Sequence, residues 1–134
     1  MNTHAFEELQ ALCAVWQERL RLQDWDVTVS LKRHREMSLR DSHACCEWQL
    51  LKRRALIQIE APEDALQAND WAHSATDHEL SLVHELLHLH FAPFSAKTGT
   101  AKDTAQELAI HRISLALVAA YRVGAAVKPH ASPT

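Results

Sequence analysis

Residues 76–91 read TDHELSLVHELLHLHF, and the reading of this stretch decides the fold. Leu80, Leu82, Val83, Leu86, Leu87, Leu89 and Phe91 fall around most of a helical circumference, the pattern of a helix covered on nearly every side. Thr76 with Glu79 three residues on reads as a capping box, and Pro93 stops the run. A helix of this kind spends His84, Glu85 and His88 among leucines. An ionised carboxylate there is costly unless a cavity, a metal or a partner receives it.

The flanks supply what such a helix packs against. Phe6, Leu9, Cys13, Trp16 and Leu20 recur at three- and four-residue steps, an amphipathic helix over residues 5–22. Val27, Val29 and Leu31 then alternate with polar residues, as do Cys46, Trp48 and Leu50, and Ala55, Ile57 and Ile59. These are three strands. The charged stretch Lys32–Ser42 is a hairpin connection or loop, Lys52-Arg53-Arg54 a tight polar turn, and Ala61-Pro62 ends the third strand. Residues 61–76 form a polar loop with Trp71 as its one large anchor. After the loop from Ser95 to Lys102, Asp103 with Gln106 caps a last helix to about Arg122. Gly124 and Pro129 end order. The expectation is an α+β chain of order α–β–β–β–α–α, a single domain over 1–124 with a flexible tail over 125–134.

With 134 residues the chain has room for one domain of ordinary size. Its 47% apolar and 23% charged content is that of a globular protein. A formal charge of −3 excludes a whole-molecule nucleic-acid footprint. The basic runs Lys32–Arg35 and Lys52–Arg54 read as solvated loop tips. Three cysteines, two of them adjacent (Cys45 and Cys46), do not make a disulfide framework, and a reducing cytosol suits them. No signal peptide or membrane span is visible, since Glu7 and Glu8 interrupt the start and the longest apolar run is Leu115–Tyr121. Only histidine is abnormal, at 10.

His84-Glu85-Leu86-Leu87-His88 is H-E-x-x-H inside an expected helix. A four-residue step returns to the same face, so the imidazoles project side by side and can share one Zn²⁺ per chain. Glu85 is rotated by about 100° from His84, placed to take a proton from a metal-activated water without ligating the metal. His90, two residues past His88, faces elsewhere, whereas His73 and His78 precede the helix and read equally as lining the mouth of such a site or as ordinary surface histidines. Tyr121 lies 14 residues beyond Glu107 on the last helix, roughly 21 Å of rise. It is set aside as an oxyanion stabiliser.

The motif and its setting resemble the zincin metallopeptidases. The metzincin extension fails, with Phe91 at its glycine and Phe94 at its third histidine. The gluzincin pattern fits better: the resemblance implies a glutamate ligand on the following helix, and Glu107 lies 19 residues past His88. Thermolysin-like members carry E-x-x-x-D there, whereas this chain has Glu107-x-x-x-His111, so His111 is an alternative third ligand or a supporting residue. The run through His90 also resembles small metallopeptidase-like proteins encoded by bacteriophages and, more distantly, SprT-like proteins. The implied layout is a minimal zincin-like core: N-terminal helix, small three-stranded sheet, motif helix and glutamate helix. The resemblance also implies a cytoplasmic setting in a bacterium or a phage-infected host. It places the strand Ala55–Ile59 at the sheet edge, where an extended substrate pairs.

The implied activity is zinc-dependent hydrolysis of a peptide or protein substrate, with Glu85 as general base and His84, His88 and Glu107 on the metal. Two alternatives stand beside it. One is a zincin-fold binding or regulatory module, in phage assembly or host regulation, with little or no protease activity. The other is a metal-dependent nuclease: bacterial RNA-processing metalloenzymes carry a similar H-x-x-L-H-L string, but with glycine at the position of Glu85 and a histidine near Phe94.

Overall fold

The computed structural model describes residues 3–36, 44–61 and 77–127. Its elements are α1 (Thr3–Arg19), β1 (Asp26–Lys32), β2 (Ala44–Gln49), β3 (Arg54–Glu60), α2 (His78–Phe91) and α3 (Ala101–Val127), with short 3₁₀ turns at His34–Glu36 and Ala92–Phe94. The class is α+β in the expected layout. The loop with Trp71 and His73, the cap at Thr76, residues 37–43 of the first connection and the chain after Val127 lie outside the described residues. No helix among the described residues is long and apolar enough to cross a membrane.

The contacts divide into two compact units, Met1–Phe94 and Ser95–Thr134. In the first, α1 packs on β1 and α2, and α2 packs on β2 and β3. Leu9, Cys13 and Trp16 of α1 meet the core together with Val29, Leu31, Ala55, Ile57 and Ile59 of the sheet. From α2 come Leu82, Val83, Leu86, Leu87 and Leu89, all buried. Each such side chain contributes about 1.5–3 kcal/mol of burial, so α2 alone accounts for a large share of the core.

The sheet order corrects one expectation. It runs β1-β3-β2, so β3 is the centre strand and the edge position expected for Ala55–Ile59 is not there. β1 pairs parallel with β3 and β2 pairs antiparallel with it. β3 is apolar or buried on both faces, with Ile57 and Ile59 towards the helices and Gln58 and Glu60 buried on the reverse face. A strand covered on both faces belongs in the interior of a sheet. Among the described residues, β2 has a partner on one side only. Two backbone bonds close the ends of the parallel ladder: Asp26 N–H to the Arg53 carbonyl and Ala61 N–H to the Lys32 carbonyl, both 2.8 Å.

The helix boundaries differ from expectation in local chemistry. Asp77 caps α2, its Oδ1 accepting from the Leu80 N–H at 3.0 Å. The Glu79 carboxylate instead accepts the Trp16 indole N–H at 2.8 Å, tying α2 to α1. Thr100 caps α3: its Oγ1 accepts the Asp103 N–H at 3.2 Å while the Asp103 carboxylate accepts the Gly99 N–H at 3.0 Å. The expected cap residue Asp103 is therefore the returning half of the box. Helix α3 also passes through Gly124 to Val127, beyond the expected end near Arg122 and into the first three residues of the expected tail. An interior glycine costs about 1 kcal/mol, and the alanines that follow it are good helix formers.

Helix α1 ends in a Schellman turn, with Leu22 N–H on the Gln17 carbonyl at 2.7 Å and Arg21 N–H on the Glu18 carbonyl at 3.1 Å. Arg21 sits at φ 61°, the left-handed region that glycine occupies without steric penalty. Gln17 secures the turn from within, its amide donating to the carbonyls of Leu22 and Trp25. Replacing Arg21 by Gly removes the Cβ clash and should stabilise the fold by about 1 kcal/mol. Urea unfolding of both forms checks this, and a destabilised variant would show that the arginine side chain contributes more than its backbone costs.

Candidate metal centre

Helix α2 carries the motif because its leucines require burial and its i, i+4 spacing then fixes where the polar residues go. His84 and His88 are half-buried, with ring centroids 5.3 Å apart and planes tilted by 55°. Glu85 is buried, at 7% exposure. The carboxylate and the two imidazoles each bring one ligand-type atom to within 4.8 Å of the others. Donors around a tetrahedral zinc lie roughly 3.3 Å apart, so modest side-chain rotation suffices to close the group on one ion. Two imidazoles and a carboxylate form a donor set that a divalent transition metal such as zinc accepts.

Strand β2 forms the wall of this site. Its register with β3 sets Cys46 opposite Ile57 and Trp48 opposite Ala55, and so places both side chains on the helix-facing side. Trp48 stacks on His88, centroids 6.2 Å apart and planes within 22°. An imidazole packed against an indole loses freedom to turn, which favours a fixed donor direction. Burial pushes the Cys46 thiol far above its ordinary range, and the negative charge of Glu85 adds to the shift, followed by Cys45 and Glu47. Cys46 therefore stands beside the cluster as a neutral thiol rather than as a nucleophile.

The remaining histidines separate clearly. His90 places Nε2 at 2.6 Å from the Leu20 carbonyl at the end of α1, away from the pair, as its i+2 spacing requires. His78 opens α2, and its Nε2 is buried without a hydrogen-bond partner among the described residues. Glu107 and His111 lie one turn apart on α3, in the second unit, Glu107 half-buried and His111 exposed. Tyr121 is exposed on the same helix.

Sequence reasoning missed Cys46 and Trp48 as neighbours of the motif. The alternation that made β2 a strand already put both on one face. What it lacked was the pairing that brings that face to α2. Compared with protein-family models, with curated proteins and with solved structures, the chain matches none.

The cluster should bind one Zn²⁺ per chain, checked by elemental analysis after reconstitution and dialysis. His84→Ala and His88→Ala should each abolish tight binding and the thermal stabilisation that zinc gives the folded chain. On the ligand set that the zincin resemblance implies from the sequence, Glu107→Ala should weaken binding more than His111→Ala, whose loss should be the roughly 10–100-fold of a supporting residue. The reverse order makes the centre a three-histidine one.

Proposed function

We propose that this chain is a zinc-dependent metallopeptidase of the zincin type, with a gluzincin-like arrangement of ligands. The observation that carries the reading is the convergence of His84, Glu85 and His88 within 4.8 Å on one buried helix. His84 and His88 would hold the ion, with Glu107 as the third ligand and His111 as its alternative. Zinc in such a site supplies Lewis acidity, polarising a carbonyl and acidifying a water.

The protein's own groups supply the rest. Glu85, next in sequence to His84, would accept a proton from the attacking water and return it to the leaving amine. Its burial among leucines strengthens every electrostatic interaction it makes. The wall formed by Cys46 and Trp48 holds water away from one side of the pair. A substrate also needs a place to lie. Strand β2, whose Trp48 stacks on His88, is the outer strand beside the cluster, and an extended substrate would lie along this side of the site.

A second reading has its own observation. Glu85 is close enough to both imidazoles to bind the ion itself, and a centre closed by protein ligands is structural rather than catalytic. The chain would then be a docking or regulatory module.

Glu85→Gln separates the two. The amide keeps the shape of the carboxylate but accepts no proton. For the peptidase, zinc content should stay full while turnover of a denatured protein falls by about 10²–10⁴-fold. For the structural centre, zinc affinity itself should drop and the unsubstituted protein should show no turnover. Equal turnover by the two forms at matched zinc would remove Glu85 from the reaction.

A further inference from the structure

The two non-glycine residues with positive φ among the described residues, Arg21 at 61° and Arg53 at 51°, line one small cavity. They come from different turns. Arg21 sits in the Schellman turn after α1, and Arg53 in the turn from β2 to β3, where its N–H meets the Leu50 carbonyl at 3.2 Å. Glycine would take either position without steric cost, yet both carry a long cationic side chain. The cavity between them holds about 170 Å³. Leu22, Trp25 and Leu89 form its floor, none of them more than 6% exposed. His90 makes one wall, its Nε2–H held on the Leu20 carbonyl at 2.6 Å. All of these residues belong to the first unit, and none to the histidine cluster.

The charges on this lining do not cancel. Arg53 pairs with Asp24, which also lines the cavity. Arg21 is exposed and makes no ion pair among the described residues, so one guanidinium is left over. The negative end of α1 does not absorb it. The Gln17, Glu18 and Leu20 carbonyls already accept the Leu22 N–H, the Arg21 backbone N–H and the His90 ring. A guanidinium is a planar fork that matches a carboxylate. A cavity of roughly 150 Å³ accommodates one benzene ring, so this floor has room for a single ring or branched chain. We infer that the cavity binds a small carboxylate with one ring-sized apolar body, the body on Trp25 and Leu89 and the charge on Arg21. Such a group comes either from a free aromatic acid or from the C-terminal residue of a peptide. This site is independent of the peptidase reading, and it accounts for arginine at a position where glycine is the less strained choice.

The probes are phenylacetate, its neutral counterpart phenylacetamide, and acetate. Binding is followed on the full, nitrogen-15-labelled chain by the chemical shifts of individual amides and of the indoles. Location matters because a carboxylate also ligates zinc, and shifts confined to His84 and His88 would mark that event instead. Phenylacetate should move Leu22, Trp25 and Leu89 with a Kd on the order of 1 mM, the scale for a fragment of this size. Phenylacetamide should bind about 5-fold more weakly, the scale of an exposed ion pair, and acetate more weakly still. Rising salt should narrow the gap between acid and amide. Arg21→Gly, which relieves the backbone, should erase the acid's advantage and leave the amide's affinity unchanged. Arg21→Gln, which removes the charge and keeps the backbone as it is, should do the same. A blocked dipeptide ending in phenylalanine, as acid and as amide, separates the two sources: an acid preference assigns the site to peptide C-termini, and its absence assigns the site to free acids. Equal affinities of phenylacetate and phenylacetamide, an acid preference that survives both Arg21 substitutions, acetate binding as tightly as phenylacetate, or no shift at Leu22, Trp25 and Leu89 with any probe would each overturn the inference.

Discussion

A carboxylate at 7% exposure on a helix of leucines is the constraint that the rest of the first unit accommodates. Taking Glu85 out of water is costly by any measure, and proteins tolerate such burial where a proton, a metal or a partner dipole receives the charge. Around Glu85 stand the two imidazoles of its own helix and the neutral Cys46 thiol of β2. The leucines on either side hold α2 in place by burial. They leave the polar residues no choice of direction. Strong apolar packing thus serves the polar site, because a helix that cannot rotate cannot turn its histidines away.

The sheet contributes through its order more than through its extent. With β3 in the centre, each outer strand has a different task. β1 runs parallel to β3 and meets α1, whose end is locked to it by the Schellman turn and the Gln17 amide. β2 runs antiparallel and meets α2, where Trp48 packs on His88. The outer strand β2 consequently lies beside the histidine pair.

Much of this was legible in the residues. Three- and four-residue apolar steps gave α1 and α2, and alternation gave all three strands close to their bounds. The H-E-x-x-H spacing determined that His84 and His88 share a face, since 3.6 residues per turn brings every fourth side chain back. What failed were statements that depend on a neighbour distant in the chain. Ala55–Ile59 was expected at the sheet edge, and its position between β1 and β2 follows from residues more than twenty positions away. The Trp16 indole, 63 residues from Glu79, donates to its carboxylate, a link no local pattern contains.

The sequence by itself therefore determined the helices, the strands and the shared face on which the two histidines project, with the glutamate turned about 100° from it. These depend on periods of two and 3.6 residues, and a period is a property of a segment. The order β1-β3-β2, the packing of Trp48 on His88 and the choice of which outer strand lies beside the histidine pair were decided only in three dimensions. A short charged connection permits a hairpin and a crossover alike. The structure takes the crossover: β3, whose side chains are apolar or sheltered on both faces, stands in the centre, where β1 and β2 also satisfy its backbone on both edges.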